Sequence, residues 1–541
     1  MAAPESALSE STATNAPRTW KAFIGGEWRD ASNGATTSLR DPATGELLGT
    51  VPQCTKDDAK AAVDAAREAF DHGPWPETKP KDRAQLLLKV AELITERAEM
   101  FALLETRNAG KPIRQSTFFD LGLAAEHMRY FSELTTSIRW RQKVEQPDYE
   151  GSYGVIRKEP MGVCAGITPW NLPLLMAVWK AGPALAAGNT CVLKPASLTP
   201  CTTIELARLF EEAGLPKGAL SVVTGSGEEV GNVLLTHPGV DKVSFTGSTE
   251  VGRTVLAKSS TTVKRTTMEL GGKSANVILP EADLDKAIDG SLFGIFLHAG
   301  QLCESGSRLL VPAKEQERIV QKLVEKARRI RIGLTQDYNT DMGPVISEGQ
   351  RTRIEGYIQY GIDQGARLSF GGNRPDRPEL RKGFFLRPTI FSGVTPDMRI
   401  AQEEIFGPVL TVLPYDNLDQ AVEIANSTIF GLAAAVWSQN EKKAERVAER
   451  LRAGTVWIND YHLLTCHAPR GGYKQSGIGR ELGEHALEDY LETKHLFFGR
   501  DSPLIPIARG LVVAPAPEGG SGSPTGPSSP PSTSGEGGAP S

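Results

Sequence analysis

The chain has 541 residues, 40% of them hydrophobic and 23% charged, with a net charge of −5 and a pI near 6.0. That length exceeds one small domain and supplies apolar material for large cores, and the slightly acidic balance argues against nucleic acid as the main partner, which would call for a basic patch. The N-terminus lacks a signal-peptide core and no uninterrupted apolar run reaches about 18 residues, so neither secretion nor a membrane span is expected and cytoplasmic residence is.

Six cysteines occur, Cys54, Cys164, Cys191, Cys201, Cys303 and Cys466, with no CxxC pair among them. They are read as reduced thiols, with no metal knuckle and no thioredoxin-like site.

Residues 1–17, rich in Ala, Ser and Thr, predict disorder. Residues 162–167 (Gly-Val-Cys-Ala-Gly-Ile) read as a buried strand, and Pro173 opens a helix at the position where its missing N–H costs nothing. The apolar stretch 176–187 contains Lys180 and reads as a core helix. Strands at 190–194, 220–223 and 242–246 alternate with helices at 202–213, 228–236 and 249–258. Alternation at this spacing predicts a parallel, doubly wound sheet. It returns more weakly between 283 and 460, so two α/β domains are expected. From residue 501 the chain turns to Gly, Ser, Pro and Thr, a composition that cannot bury enough apolar surface to offset its ordering entropy. That tail reads as a solubilising or tethering segment, or as one that binds a partner.

Several short segments carry chemistry. Pro169-Trp170-Asn171-Leu172-Pro173 sits at a strand-to-helix corner. Phe245-Thr246-Gly247-Ser248-Thr249-Glu250-Val251-Gly252 follows a strand and opens a helix, where backbone N–H groups and the helix dipole can receive a phosphate. Its glycine spacing is not GxGxxG, and small residues also serve such corners for steric reasons alone. Glu269 lies in Met268-Glu269-Leu270-Gly271-Gly272-Lys273 and Cys303 in Gly300-Gln301-Leu302-Cys303-Glu304-Ser305-Gly306. A thiol that forms a covalent adduct needs a second group to activate the water that removes it, and a Cys and a Glu framed by glycines could supply both. A buried Cys is more often an inert hydrophobe, and an Asn before a helix is more often an N-cap.

Together with Glu403-Glu404-Ile405-Phe406-Gly407-Pro408 and Gly479-Arg480-Glu481-Leu482-Gly483, these segments resemble the blocks of the NAD(P)-dependent aldehyde dehydrogenase superfamily, from about residue 20 to about residue 498. The resemblance implies an α/β fold: a variant Rossmann cofactor domain (18–140 and 161–271), an α/β catalytic domain (272–475) and a small β segment for oligomerisation (141–160 with 489–500). It implies a homodimer or homotetramer, a small-molecule aldehyde as partner, and NAD or NADP as cofactor.

By the same resemblance Cys303 is the nucleophile, Glu269 the general base and Asn171 the oxyanion donor, with Lys180 and Glu481 as proton relays or, equally, structural ion-pair partners. Ser248 contacts the pyrophosphate, Val251 packs near the adenine, Lys194 and Ser197 face the adenine ribose, and Glu404 and Phe406 hold the nicotinamide ribose and ring. Ile167, Trp170, Gly227, Phe245 and Gly247 line the same cofactor site. Family members that prefer NAD often carry a glutamate where Ser197 stands. A neutral serine leaves Lys194 free to pair with a 2′-phosphate, so NADP is expected to be tolerated.

Residues 174–180 and 456–462 are locally most similar to betaine-aldehyde-type members. A trimethylammonium substrate wants an aromatic cage, whereas the cage frame here holds Leu172, Trp179, Leu297 and Arg470. Arg470 would repel a quaternary cation if it points inward, could there receive the distal carboxylate of a semialdehyde, and would otherwise face solvent or Glu304. An aliphatic, aromatic or semialdehyde substrate is therefore favoured over betaine aldehyde. Against a CoA-acylating relative stands Glu269, and against a non-catalytic relative stands the intact Cys303. A redox sensor working through Cys303 alone leaves the cofactor blocks unexplained.

Overall fold

The computed structural model describes residues 17–147 and 151–499. The expectations for residues 1–16 and for the tail from residue 501 lie outside the described residues, as do residues 148–150 inside the proposed oligomerisation segment.

The first large sheet has eight strands in the order Gly477–Ile478, Arg265–Glu269, Lys242–Thr246, Val163–Ile167, Thr190–Lys194, Leu220–Val222, Ala22–Ile24 and Glu27–Arg29. The four central pairings, from Arg265–Glu269 to Leu220–Val222, are all between parallel strands. The edges are antiparallel additions from remote parts of the chain. Chain order proceeds outward from Val163–Ile167 in both directions, so the topological switch lies between this strand and Lys242–Thr246. In an open α/β sheet a ligand crevice forms outside the carboxyl ends of the strands at such a switch.

The second sheet has seven strands in the order Arg367–Phe370, Thr389–Ser392, Val409–Tyr415, Arg308–Pro312, Ala275–Ile278, Ala433–Trp437 and Thr455–Ile458. It is parallel except at Arg367–Phe370. Its central strands are buried throughout, which is why they read as apolar runs rather than alternating ones.

The predicted strands and helices between residues 162 and 259 all form, within a residue or two of the expected limits. One detail differs: the stretch expected as a helix at 228–236 begins as a π-helical turn, Gly227–Gly231, before the α-helix Asn232–Thr236. The helix Pro173–Ala186 is buried along its whole length. Burial of each of its leucines contributes about 1.5–3 kcal/mol, and its one charge, Lys180, must find a partner inside.

Residues 140–157 and 493–499 form a compact unit of their own. Arg141–Glu145 pairs antiparallel with Tyr153–Pro160, which also neighbours Leu491–Phe498. Tyr153 stacks on Phe498 with ring centroids 4.6 Å apart, and Lys143 lies over the Tyr153 ring. All six cysteines are free thiols. Among the described residues no helix is long and apolar enough to cross a membrane.

Candidate active site

The carboxyl ends of the switch-point strands open onto a cavity of about 330 Å³. One wall is the corner Thr168–Leu172 and another is Phe245–Ser248 with Val251, while Glu269, Cys303, Glu304, Glu404, Phe406 and Arg470 close the remainder. Residues far apart in the chain thus meet at one crevice because two parallel sheets deliver their loops to it.

Each candidate side chain is held by local structure. Glu269 ends its strand opposite Gly477, with its carbonyl taking the Gly247 N–H at 3.1 Å. Gly271 and Gly272 then thread a narrow gap. A β-carbon on Gly271 would collide with the Glu404 carboxylate, and one on Gly272 with the Cys303 carbonyl, so this segment demands glycine for closeness rather than for an unusual φ. Cys303 stands in a turn between the helix Leu284–Phe296 and the strand Arg308–Pro312. Gln301 anchors that turn, because its side chain donates to the His298 carbonyl (3.0 Å) and accepts from the Ile346 N–H (2.9 Å). Asn171 donates one amide hydrogen to the Gln301 carbonyl at 2.8 Å, which fixes the amide plane and leaves its second N–H for another acceptor.

Burial and charge tune the groups. Burial, reinforced by the negative charge of Glu481, pushes the Glu269 carboxyl up to about 8, against the pull of Arg470, Lys180 and Arg480. Burial pushes the Cys303 thiol up to about 11, with Arg470 pulling down and Glu269 and Glu404 pushing up. Burial raises Glu404 to about 7 although the Gly272 N–H, at 2.9 Å from its Oε1, stabilises the anion. A carboxyl near 8 beside a thiol is the pattern of a general base poised for neutral pH.

Lys180 and Glu481 form a fully buried ion pair, and Ser244 Oγ donates to the same Glu481 Oε1 at 3.3 Å. The contact is compatible with both alternatives, a structural ion pair and a proton relay, and the charge of Glu481 acts on Glu269. Lys180→Met is expected to cost about 3–5 kcal/mol, because a lone buried carboxylate remains. A lowered urea midpoint at unchanged slope is the readout.

The dinucleotide reading fits the residues present. Ser248 caps the helix Thr249–Ser259, accepting from the Val251 N–H, so the first N–H groups of that helix face the cavity mouth. Any side chain at Gly247 would strike the Phe245 ring. Val251 leaves 48% of its surface exposed there, an apolar face suited to a flat base. Thr168 and Thr246 keep buried hydroxyls without a partner among the described residues. Trp170 and Phe406 meet edge to face at 5.2 Å, with Phe406 held at φ 58°, a left-handed conformation that costs a non-glycine residue about 1 kcal/mol or more. Gln350 donates to the Phe406 carbonyl (2.8 Å) and Arg353 to that of Glu404 (2.9 Å), which braces the loop.

Not all expected residues reach this cavity. Lys194 is buried, its amine donating to the Pro195 carbonyl at 3.2 Å, and burial lowers it to about 8. Ser197 is exposed and donates to the Gly225 carbonyl at 3.0 Å, lining a smaller neighbouring pocket. Ile167 and Gly227 lie outside the cavity lining, Ile167 at its strand end and Gly227 at the start of the π-helical turn. Leu297 is not a lining residue either: the helix ends at Phe296, and His298 and Ala299 turn the chain through left-handed conformations. The apolar wall is formed by Phe119, Leu172, Met176, Trp179, Leu302 and Leu464. Trp179 donates its indole N–H to His127 Nδ1 at 2.7 Å. Arg470 is paired with Glu304, one of the two alternatives its sequence position allows.

Sequence reasoning did not single out Phe119, Met176, Leu464, Gln350 or Arg353. The last two stand three apart on the helix Glu348–Asp363, and nothing local marks that face as pointing at a loop around residue 405.

A dinucleotide-type crevice that brings a thiol and a raised carboxyl together defines an oxidoreductase. The profile of the aldehyde dehydrogenase family matches residues 28–496. Betaine aldehyde dehydrogenase of Bacillus subtilis is 46% identical over 475 residues, covering 88% of this chain and 96% of that protein. Human retinal dehydrogenase 2 is 42% identical over 476 residues, covering 88% and 90%. Among solved structures, Staphylococcus aureus betaine aldehyde dehydrogenase in complex with NAD+ superposes with a TM-score of 0.88 at 42% identity, over 90% of this chain and 96% of that one. The chain belongs to the aldehyde dehydrogenase family. It is an NAD(P)-dependent aldehyde dehydrogenase with the mixed α/β architecture of that family.

Proposed function

We propose that the protein oxidises an aliphatic, aromatic or semialdehyde substrate to the carboxylic acid, through a covalent adduct on Cys303 and water activated by Glu269. The observation that carries this reading is the shared cavity: Cys303, Glu269 and Asn171 line one space under an apolar wall. Sγ of Cys303 attacks the carbonyl carbon, its proton passing toward Glu269, and a thiohemiacetal forms. The carbonyl oxygen takes the second amide N–H of Asn171 and the backbone N–H of Cys303, which stabilise the charge it develops. Bound NAD(P)+ supplies a hydride acceptor at this point, leaving a thioester. Once Glu269 has given the thiol proton up to solvent, it removes a proton from water, the water oxygen bonds to the acyl carbon, and the C–S bond breaks to release the acid and return the Cys303 thiolate.

Residues 18–140 with 161–271 serve as the cofactor domain, and 272–475 as the catalytic domain. Ser248, Gly247, Val251, Phe245 and Trp170 line the dinucleotide, with Ile167 behind them at its strand end, Glu404 and Phe406 at the nicotinamide end, and Lys194, Ser197 and Gly227 set back from the crevice toward the adenosine end. NAD is the cofactor carried by the solved relative. Here Ser197 places no carboxylate against a 2′-phosphate and Lys194 offers a cation, which supports acceptance of NADP as well. The segment 141–160 with 489–500 is assigned to homodimer or homotetramer contacts.

The relatives named for betaine aldehyde make that compound the sharpest competitor. The apolar wall offers two rings, Phe119 and Trp179, among aliphatic side chains, with the Arg470 guanidinium also lining the cavity, and that cation opposes a quaternary ammonium group where a cage would have to close around it. Rates with hexanal, phenylacetaldehyde, succinic semialdehyde and betaine aldehyde, each with NAD and with NADP, test both readings. Betaine aldehyde is expected to rank last. Its ranking first would overturn the substrate assignment, and a preference for NAD above about 100-fold, roughly 2.7 kcal/mol, would overturn the cofactor assignment.

A further inference from the structure

The residue that follows Cys303 is fastened on three sides. Glu304 is 4% exposed, and its carbonyl accepts from the Tyr461 hydroxyl at 2.8 Å. Its Oε2 pairs with the Arg470 guanidinium. Its Oε1 lies 2.7 Å from His462 Nδ1, and His462 Nε2 lies 3.1 Å from the Gly294 carbonyl. A carbonyl oxygen only accepts, so Nε2 carries a hydrogen. The contact between Nδ1 and Oε1 then needs a proton of its own, since otherwise two lone pairs would face each other in a buried site. Phe293, Trp457 and Tyr461 pack their rings around the imidazole. His462 is also held at φ 59°, a conformation that persists only where its surroundings over-determine it.

We infer that Glu304 and His462 share one proton, so that the Glu304–His462–Arg470 cluster carries one net positive charge and positions it to favour the Cys303 thiolate. The inference rests on Cys303 being the nucleophile. With the proton held between carboxyl and imidazole, every donor and acceptor in the contact is matched and the charge of Arg470 is left uncompensated. Burial works against a charged imidazole and the Arg470 guanidinium against a neutral Glu304 carboxyl, so the proton is shared across the contact. The charged groups acting on Cys303 are Arg470, Glu269 and Glu404, and Arg470 alone favours the thiolate. The Arg470 main chain is fixed, because Arg470 and Glu481 exchange backbone hydrogen bonds in both directions, at 2.6 and 2.7 Å, and its guanidinium is held by Glu304. Glu304 and His462 are thus positioning residues that act through Arg470.

The test follows Cys303 alkylation by iodoacetamide on the full-length, cofactor-free protein, from about pH 6 to about pH 10, with the adduct counted on the Cys303 peptide by mass spectrometry and the midpoint placed from the rate below it, which changes about tenfold per unit of displacement. Glu304→Gln, a mimic of the protonated carboxyl, is expected to keep the wild-type midpoint. Arg470→Met is expected to raise the midpoint by about one unit or more, and Arg470→Lys to recover most of that shift. A midpoint lowered by about one unit in Glu304→Gln would mean an ionised Glu304 beside a neutral ring, and would overturn the inference. So would an unmoved midpoint in Arg470→Met. Should the variants not fold, ¹⁵N spectra of histidine-labelled wild type count the same proton. A hydrogen on Nε2 supports the cluster as described, and a bare Nε2 with hydrogen only on Nδ1 overturns it. Alkylation needs neither aldehyde nor turnover, so its outcome stands apart from that of the proposed reaction.

Discussion

Cys303→Ala is expected to abolish aldehyde-dependent cofactor reduction, a fall in turnover of at least about 10⁴-fold, while dinucleotide binding survives. The substitution deletes one sulfur from a turn whose geometry is set by Gln301 and Asn171, so the crevice stays formed. No second thiol can take over. Cys54, Cys164, Cys191, Cys201 and Cys466 are buried and none of them lines the crevice. Absorbance of the reduced cofactor gives the rate and calorimetric titration with NAD gives the binding. Activity persisting above about 1% of wild type would point to a different nucleophile.

Glu269→Gln is expected to separate the two halves of the reaction. Steady turnover should fall by about 10²–10⁴-fold, because no positioned base remains to deprotonate the hydrolytic water. The first acylation should still yield a burst of reduced cofactor approaching one equivalent per site, slowed to the extent that Glu269 also receives the thiol proton. Mass spectrometry of the quenched burst should find the acyl group on Cys303. The wild-type pH profile has a definite sign. A base works only when ionised, and the Glu269 carboxyl is raised to about 8 by burial and Glu481. Turnover should therefore climb as pH rises through about 8, and fall about tenfold per unit well below it. A rate independent of pH between about 6 and about 9 would remove Glu269 from the hydrolytic step.

The parts of this site that were legible in the sequence are those written locally. Strand–turn–helix corners such as Val163–Ile167 into Pro173–Ala186, and Lys242–Thr246 into Thr249–Ser259, carry their own punctuation in glycine, proline and the serine cap. The motifs around Glu269, Cys303 and Glu404 do the same, and their glycines proved to be sites of close approach. What stayed hidden depends on partners distant in the chain. The hairpin Ala22–Ile24 with Glu27–Arg29 extends the first sheet by pairing with Leu220–Val222, and no periodicity in three-residue strands announces that. Ion pairing of Lys180 and Glu481 and the Arg470–Glu304 contact are among the alternatives the sequence offers, but His462 as a third member beside Glu304 is not, because that contact depends on burial. Leu297 was placed at the substrate by a motif frame that continues through it, whereas two left-handed residues turn the chain directly after it.

The two-residue strand Gly477–Ile478 closes the first sheet against Arg265–Glu269, after the chain has passed through the whole second sheet. During synthesis the five parallel strands can assemble long before this piece emerges, and until it does the strand that ends in Glu269 is an open edge. Closing so long a loop adds little thermodynamic penalty, which grows only logarithmically with length, but such non-local contacts tend to come late. The last stitch in time is thus also the one that seats the base. A nascent or clipped chain lacking it would retain a cofactor sheet and a thiol yet have an unfinished hydrolytic half, so chemical competence and hydrogen-bonded completeness arrive in the same step.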